Sequence, residues 1–515
     1  MTETAHPMPD KIITILRPPV IFSVRSFSVP ITPPVAIAYL GAVLEKNGYT
    51  VNLVDAIGED VHHIEAMPQG RNAQGLSFDD IIARIVPDTD ILAVSIMFSQ
   101  EWPLIRSLIN RIRETYPYLT IIAGGEHITA LAEFSLRDCA ALDFCGRGEG
   151  ENLLLEFISA KRSGKDVRKI TGLCYRDKDE IIINPQRSRI TNLEELPWPA
   201  WHKLPIETYL SSNYGGVGIN SGRTMPIVAT RGCPYKCSFC SNKSMWGQKY
   251  VMRSPSAVID EIKYYIQIYQ AEHIEFYDLT AIINKEWIME FCRIYLENNL
   301  KTTWSLPTGT RSEALDRDVI EMLFRTNCKY LVYAPESGSP KTLKDIHKEV
   351  HLDALVRSVR MAVKNGIHTR CNLVIGFPEE TLKDLLKTLL FQIKLAWYGV
   401  DDVPMYLFSP YPGSELFKYL KRTKRIPEIN DDYFNSLLGQ MDINSCTVYS
   451  EKMSGHTIRW MRLVGMSLFY GLSYLLRPAR IVRSFRNIFI TKTTNTVFEQ
   501  RILEMIQRRS RRDGF

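Results

Sequence analysis

No run of eighteen uncharged apolar residues occurs anywhere in the 515 positions, so no segment is long enough for a membrane-spanning helix. The first ten residues, MTETAHPMPD, lack a charged head followed by an apolar block. No secretory signal is therefore read, and the ten cysteines are expected reduced, in the cytoplasm. Composition is not skewed either: 45% apolar and 23% charged excludes a disordered chain, collagen-like repeats and a small disulfide scaffold. Broad positive charge is also missing. The net charge is +6, yet residues 456–515 alone hold twelve Lys and Arg against three Asp and Glu. Everything before them is slightly acidic, which excludes a general nucleic-acid binder.

What is present is alternation. Residues 11–16 (KIITIL), 50–56 (TVNLVDA), 90–98 (DILAVSIMF), 119–125 (LTIIAGG) and 142–145 (LDFC) read as strands. Between them, 35–47, 78–86 and 102–116 have helical apolar spacing, and 18–34 is a Pro-rich loop. Apolar strands alternating with amphipathic helices predict a parallel, doubly wound, Rossmann-like sheet, whose ligands sit at the carboxyl ends of the strands. Two strand-like runs within 169–187 flank Asp177-Lys178-Asp179 as a hairpin, and 196–200 (LPWPA) reads as a linker. A second series follows, with strands near 225–231, 273–279, 302–310, 330–337, 369–377 and 403–409. Ser254 as cap and Pro255 at the first helical position mark the helix after its first strand. Six strand–helix units predict a partial TIM-type barrel with chemistry at the strands' carboxyl ends. The expected organisation is 1–165, the doubly wound domain; 166–220, hairpin and linker; 221–420, the barrel; and 421–515, a helical, basic C-terminal region.

The sharpest motif directly follows the first barrel strand. Cys233, Cys237 and Cys240 are spaced C-x3-C-x2-C. A structural zinc site wants four ligands, and no fourth Cys or His lies nearby. Iron–sulfur clusters take cysteine thiolates, and three of them leave one iron of a four-iron cluster open. The remaining cysteines, 139, 145, 174, 292, 328, 371 and 446, form no C-x2-C pair and are expected as small buried hydrophobes.

With Phe239 before its last cysteine, this motif resembles the radical SAM superfamily, over roughly residues 220–420. Ala334-Pro-Glu-Ser-Gly-Ser339, Asn372-Leu-Val-Ile-Gly-Phe-Pro-Glu-Glu380 and Ser409-Pro-Tyr-Pro-Gly-Ser414 resemble that family's fourth, fifth and sixth strand ends. The resemblance implies a [4Fe-4S] cluster on the three cysteines and S-adenosyl-L-methionine (SAM) on the open iron. It also implies SAM contacts from Phe239, Asp278, Arg311, Glu336, Ser337, Ile375 and Gly376, with Arg311 pairing the SAM carboxylate. Where relatives often show paired acids, this chain has Tyr277-Asp278-Leu279-Thr280. Methylthiotransferases carry a second cluster, which the unpaired cysteines do not offer.

The leading domain resembles the cobalamin-binding domain of B12-dependent radical SAM proteins. The resembling pieces are Pro33-Pro34, Tyr39-Leu40-Gly41, Asn47-Gly48-Tyr49, Gly124-Gly125-Glu126-His127 and Arg147-Gly148-Glu149-Gly150-Glu151. Cobalamin contacts are expected from Ser95, Gly124, Gly125, Glu126, Gly146, Arg147, Gly148 and Glu149. The D-x-H-x-x-G signature of a lower axial histidine is missing. Asp60-Val-His62 lacks its glycine, so His62 and His63 are expected as loop residues and His127 as packing or a cofactor contact.

The domain order resembles the group holding the anaerobic magnesium-protoporphyrin ester cyclase and the hopanoid methylases. It implies an oxygen-sensitive, cobalamin-dependent enzyme. The expected reaction is C-methylation of a lipid-like or secondary-metabolite substrate, with a flavodoxin- or ferredoxin-type electron donor. A cyclase or carbon-skeleton reaction on a porphyrin or lipid is the second reading, and an RNA-binding modification protein the alternative of another class. In the tail, the apolar stretch 463–476 is surrounded by Arg459, Arg462, Arg477, Arg480, Arg483 and Arg486. That pattern suits a helix lying on an anionic membrane surface or around a hydrophobic substrate, or else a core helix of a C-terminal cap with basic flanks. The run Arg508-Arg509-Ser510-Arg511-Arg512 reads as a solvated tail.

Overall fold

A computed structural model describes the chain from Lys11 to Ile506, except residues 27–30, 212–221, 281, 312–313, 427, 441–446, 492–493, 497, 500–501 and 504–505. Cys446 and the 508–512 arginine run lie outside the described residues.

In chain order the first strands are β1 (Ile12–Arg17), β2 (Val20–Ser23), β3 (Val51–Asp55), β4 (Ile64–Met67), β5 (Arg71–Gln74), β6 (Thr89–Ser95), β7 (Thr120–Gly124), β8 (Phe144–Gly146), β9 (Leu173–Asp177) and β10 (Glu180–Ile183). Seven form one sheet in the order β10-β9-β8-β7-β6-β1-β3. The five from β1 to β8 run parallel, as the apolar runs predicted. The hairpin β9–β10 joins the edge antiparallel to β8, so the sheet is mixed rather than wholly parallel. An edge strand added this way covers backbone groups of β8 that would otherwise stay unpaired. The antiparallel sheet β2-β5-β4 was not expected. It draws on the Pro-rich loop and on 64–74 (IEAMPQGRNAQ), which has no period-two alternation.

The second series continues with β11 (Thr224–Ile227), β12 (Thr230–Arg231), β13 (Val251–Met252), β14 (His273–Phe276), β15 (Thr303–Thr310), β16 (Cys328–Glu336), β17 (His368–Ile375) and β18 (Met405–Leu407). Strands β11-β14-β15-β16-β17-β18 form an all-parallel six-stranded sheet in sequence order. This is the partial barrel. The helix Pro255–Tyr269 starts as read: the Ser254 hydroxyl accepts from the Ala257 N–H, and Pro255 opens the first turn. The short pair β12–β13 stands apart and frames the cysteine loop.

One apolar core runs through both units and joins Ile13 and Ile15 of β1 to Trp304 and Leu331 of the barrel. The 196–200 stretch is part of that junction. Ala200 donates its N–H to the Ala38 carbonyl. Buried Trp201 donates its indole N–H to the Tyr265 hydroxyl at 3.0 Å.

The C-terminal helix Gly455–Leu476 is longer than the apolar stretch that announced it, and it packs on the helix Leu382–Tyr398. Its arginines are placed differently from expectation. Arg462 is 1% exposed and donates to the Met405 carbonyl. Arg477 donates to the carbonyls of Ala396 and Trp397, and Arg480 to those of Gly399 and Val400 and to the Asp401 carboxylate. These cations complement the C-terminal end of the Leu382–Tyr398 helix, where carbonyls lack helical partners. Arg462, Arg477 and Arg480 are thus held within the fold, whereas Arg459 and Arg486 are exposed. Cysteines 139, 145, 174, 292, 328 and 371 are free and buried, as expected.

Candidate active site at the cysteine loop

The loop holding Cys233, Cys237 and Cys240 runs from β12 to the short helix Asn242–Trp246. It lies at the carboxyl end of the barrel sheet, where strand-end chemistry is expected. Cys233 and Cys237 are half-buried and Cys240 exposed, and all three are free thiols. Among the described residues no three His, Cys, Asp or Glu side chains converge as a site for one metal ion. Burial raises the Cys237 thiol, an effect that the nearby charges of Lys348 and Arg311 oppose.

The predicted SAM residues divide into those at the loop and those behind it. Arg311 is buried, with its guanidinium 3.5 Å from the ring centre of Tyr235 within the cysteine loop, and it donates to the Glu349 carbonyl. Phe239 packs against Phe377 with ring centres 5.7 Å apart. Glu336 stands in left-handed backbone conformation (φ 63°) at the end of β16 and pairs with Lys348 at 2.9 Å. Asp278 instead turns under the loop. It is 1% exposed and accepts the backbone N–H groups of Ala229 and Thr230. Burial raises its carboxyl to about 6. Ser337 directs its hydroxyl to Thr388 of the Leu382–Tyr398 helix and accepts the Ser339 N–H. Ile375 is fully buried, while Gly376 donates its N–H to Glu380.

The predicted cobalamin residues lie at the carboxyl ends of β6, β7 and β8. Ser95 pairs in register with Gly124. Space opens around Gly124 and Gly148: a side chain on Gly124 would meet just the Gly146 carbonyl at 3.8 Å, and one on Gly148 nothing within 4 Å. Arg147 is tied back to Gly172 and Asn184. Glu149 lines one pocket together with Gly148, and both Glu126 and Glu149 are also tied toward the cysteine loop. Glu126 accepts from the Ser241 hydroxyl, directly after Cys240. Glu149 accepts from Arg189, Arg231 and the Ile190 N–H. His62 is exposed and His63 bonds the Gly75 carbonyl, both as loop residues. His127 is a packing residue: it is 1% exposed, bonds Ser99 and Ser135 and stacks on Trp102.

Sequence reasoning missed Lys348, Tyr235, Arg231, Glu151 and Ser241 as neighbours of the loop. The last four stand inside or beside motifs already singled out. Lys348 follows a short helix in a polar stretch and carries no periodic signal.

Comparison with known proteins places two family models on the chain. Residues 27–158 match the B12 binding domain, and residues 227–391 match the Radical SAM superfamily. The chain is 28% identical to an uncharacterized methyltransferase of Pyrococcus horikoshii, across 79% of this chain and 82% of that protein. It is 25% identical to the anaerobic magnesium-protoporphyrin IX monomethyl ester cyclase of Rubrivivax gelatinosus, across 75% of this chain and 66% of the cyclase. Its fold is similar to that of the cobalamin-dependent S-adenosylmethionine radical enzyme OxsB, with a TM-score of 0.65 at 14% identity, covering 98% of this chain and 80% of OxsB. OxsB is described with aqua-cobalamin and S-adenosylmethionine bound. The chain thus carries a B12 binding domain ahead of a radical SAM domain.

Proposed function

We propose that this enzyme methylates an unactivated carbon of a small secondary-metabolite or lipid-like substrate. The observation that carries the reading is the seating of the three-cysteine loop against the open, glycine-lined strand ends of the B12 binding domain. When bound, the cofactors supply the 5′-deoxyadenosyl radical and the methyl group. The chain's residues fit them. Three thiols without a nearby fourth ligand suit a cluster with one open iron. The space beside Gly124 and Gly148 lets a flat cofactor approach backbone.

Within this reading, Cys233, Cys237 and Cys240 hold the cluster. Arg311, stacked on Tyr235, offers a fixed guanidinium to a carboxylate. The Glu336–Lys348 pair sets the charge beside Cys237. Asp278 and Ser337 are positioning residues, one holding the strand that feeds the loop and the other the turn after β16. An electron donor of the flavodoxin or ferredoxin type completes the set. A cyclase, as the Rubrivivax relative is named, is the second reading. Anaerobic reconstitution with methyl-labelled SAM and mass spectrometry of cell extracts tests the proposal: label on carbon in a product supports methylation, and an oxidised ring product without label supports cyclisation.

Peripheral membrane contact belongs to the same proposal, on different residues from those expected. The helices Leu382–Tyr398 and Gly455–Leu476 run parallel. Ile458 near the start of the second lies against Gly376, just before the first, and Arg477 at its end reaches Ala396 and Trp397. Both expose apolar residues at the same spacing, Leu382, Leu386, Leu390 and Trp397 on one and Trp460, Val464, Leu468 and Leu475 on the other. These stripes border the contact made by Leu389, Gln392 and Gly465, so they lie side by side as one apolar surface. Lys387 and Lys394 on the first helix are paired with Asp384 at 3.8 Å and Asp353 at 3.9 Å. An exposed apolar face suits a bilayer surface, and no described helix is long and apolar enough to cross one.

A further inference from the structure

The cysteine loop has two ends, and a carboxylate of the B12 binding domain holds each. Two residues before Cys233, Arg231 pairs with Glu149 at 3.2 Å and with Glu151 at 2.6 Å. All three side chains are less than a tenth exposed. Directly after Cys240, the Ser241 hydroxyl donates to Glu126. Arg189 extends the first anchor, linking Glu149 to the carbonyls of Trp246 and Lys249 behind the loop.

Backbone geometry leaves little slack at either anchor. Gly232 has φ 89°, and a Cβ there would lie 2.2 Å from the Lys249 carbonyl oxygen. Gly125, which aims Glu126, has φ 109°, and its Cβ would lie 2.4 Å from the Ile96 carbonyl oxygen. Any other residue at these two sites forces the backbone apart. The anchoring carboxylates therefore ride on the Gly124–Glu126 and Gly146–Glu151 segments, which also border the open space beside Gly124 and Gly148. Where two ligands order the same segments, binding of one lowers the ordering cost of the other.

We infer that Glu126, Glu149 and Glu151 are positioning residues that couple occupation of the cobalamin site to assembly of the cluster on the cysteine loop. This rests on the cofactor placement proposed above. The coupling is reciprocal, because a factor by which one ligand tightens the other applies both ways.

The experiment measures hydroxocobalamin binding by equilibrium dialysis to cluster-reconstituted and cluster-free protein, with iron content and visible absorbance as loading controls. In the wild type the reconstituted form should bind at least about 5-fold tighter, at the low end of common coupling. In Glu126→Gln/Glu151→Gln, where Glu149 is the one carboxylate left on Arg231, the ratio should fall toward one while each cofactor still binds. Glu126→Gln alone leaves the buried Arg231 pair intact and should reduce the ratio partway. Electron paramagnetic resonance of the reduced cluster gives the reverse reading: cobalamin should change the spectrum in the wild type and not in the double variant. A wild-type ratio of one with both cofactors bound, or a ratio unchanged in the variants, overturns the coupling alone. No cobalamin binding at all, or no cluster, overturns the placement as well.

Discussion

Lys348 sets its ammonium group 2.9 Å from the Glu336 carboxylate, and both side chains are about nine-tenths buried beside the cysteine loop. Removing one partner strands the other as an unpaired buried charge, which costs about 3–5 kcal/mol. Lys348→Met should therefore unfold at clearly lower urea than the wild type, and the double variant Lys348→Met/Glu336→Gln should recover much of the loss. Urea titration followed by tryptophan fluorescence checks this. If the single variant matches the wild type, the pair has no structural weight.

Replacing Cys233, Cys237 and Cys240 together by Ala should abolish the visible absorbance of a reconstituted four-iron cluster and all reductive cleavage of SAM. Far-ultraviolet circular dichroism should be unchanged, since the loop lies outside the core. Reductive SAM cleavage by the triple variant would remove these residues from the site.

In the cob(II) state, bound cobalamin should show no nitrogen hyperfine splitting from a protein histidine. His127 has both ring nitrogens engaged, by Ser99 and Ser135, and His62 lies on an exposed loop. A splitting that disappears in His62→Ala or His127→Gln would contradict this arrangement.

The same buried imidazole predicts acid sensitivity. Burial lowers His127 to about 3, against about 6.5 in an unfolded chain. Between those values the unfolded chain holds a proton that the folded one does not. Stability is thus full above pH 6.5 and falls as pH drops toward 3, by at most about 4–5 kcal/mol. His273 adds a drop of the same sign, burial lowering it to about 3. His127→Gln should flatten the stability profile between pH 6.5 and 4. A profile as steep as that of the wild type would assign the acid limb to other groups.

Full-length protein should sediment with anionic vesicles, and Trp460→Glu/Leu468→Glu should stay in the supernatant. Four arginines of the tail are held by carbonyls and carboxylates, so charge-neutral replacement of Arg480 should change folding more than vesicle binding. Equal sedimentation of wild type and the apolar double variant would leave this face without a membrane role.

Much of this architecture is written locally. Ser254-Pro255 announces its helix through a cap and a ring-fixed φ, and the six barrel strands are short runs centred on apolar residues, signals contained within a few residues. The β2-β5-β4 sheet is not local in that sense, because the short β2 leans on β5 about fifty residues away and β5 is largely polar. The site divides the same way. The cysteines announce themselves by spacing. The meeting of Arg231 with Glu149 and Glu151 spans about eighty residues, and nothing in either motif names the other. Asp278 and Ser337 stood at the expected strand ends, but which way a side chain turns there depends on the helices packed behind it.

The Trp201–Tyr265 and Arg231–Glu149–Glu151 contacts also bear on modularity. The stretch after residue 195 looks like a seam between two transferable parts, yet it is stitched to both. A barrel separated from its leading domain would keep the Arg231 guanidinium without its two carboxylates and would bare the apolar surface under Trp201. Exchange of either half with that of a relative would succeed only if the incoming half brought matching carboxylates at the ends of its fourth and fifth parallel strands. The two halves are thus constrained to diverge as one unit, although each has a family of its own.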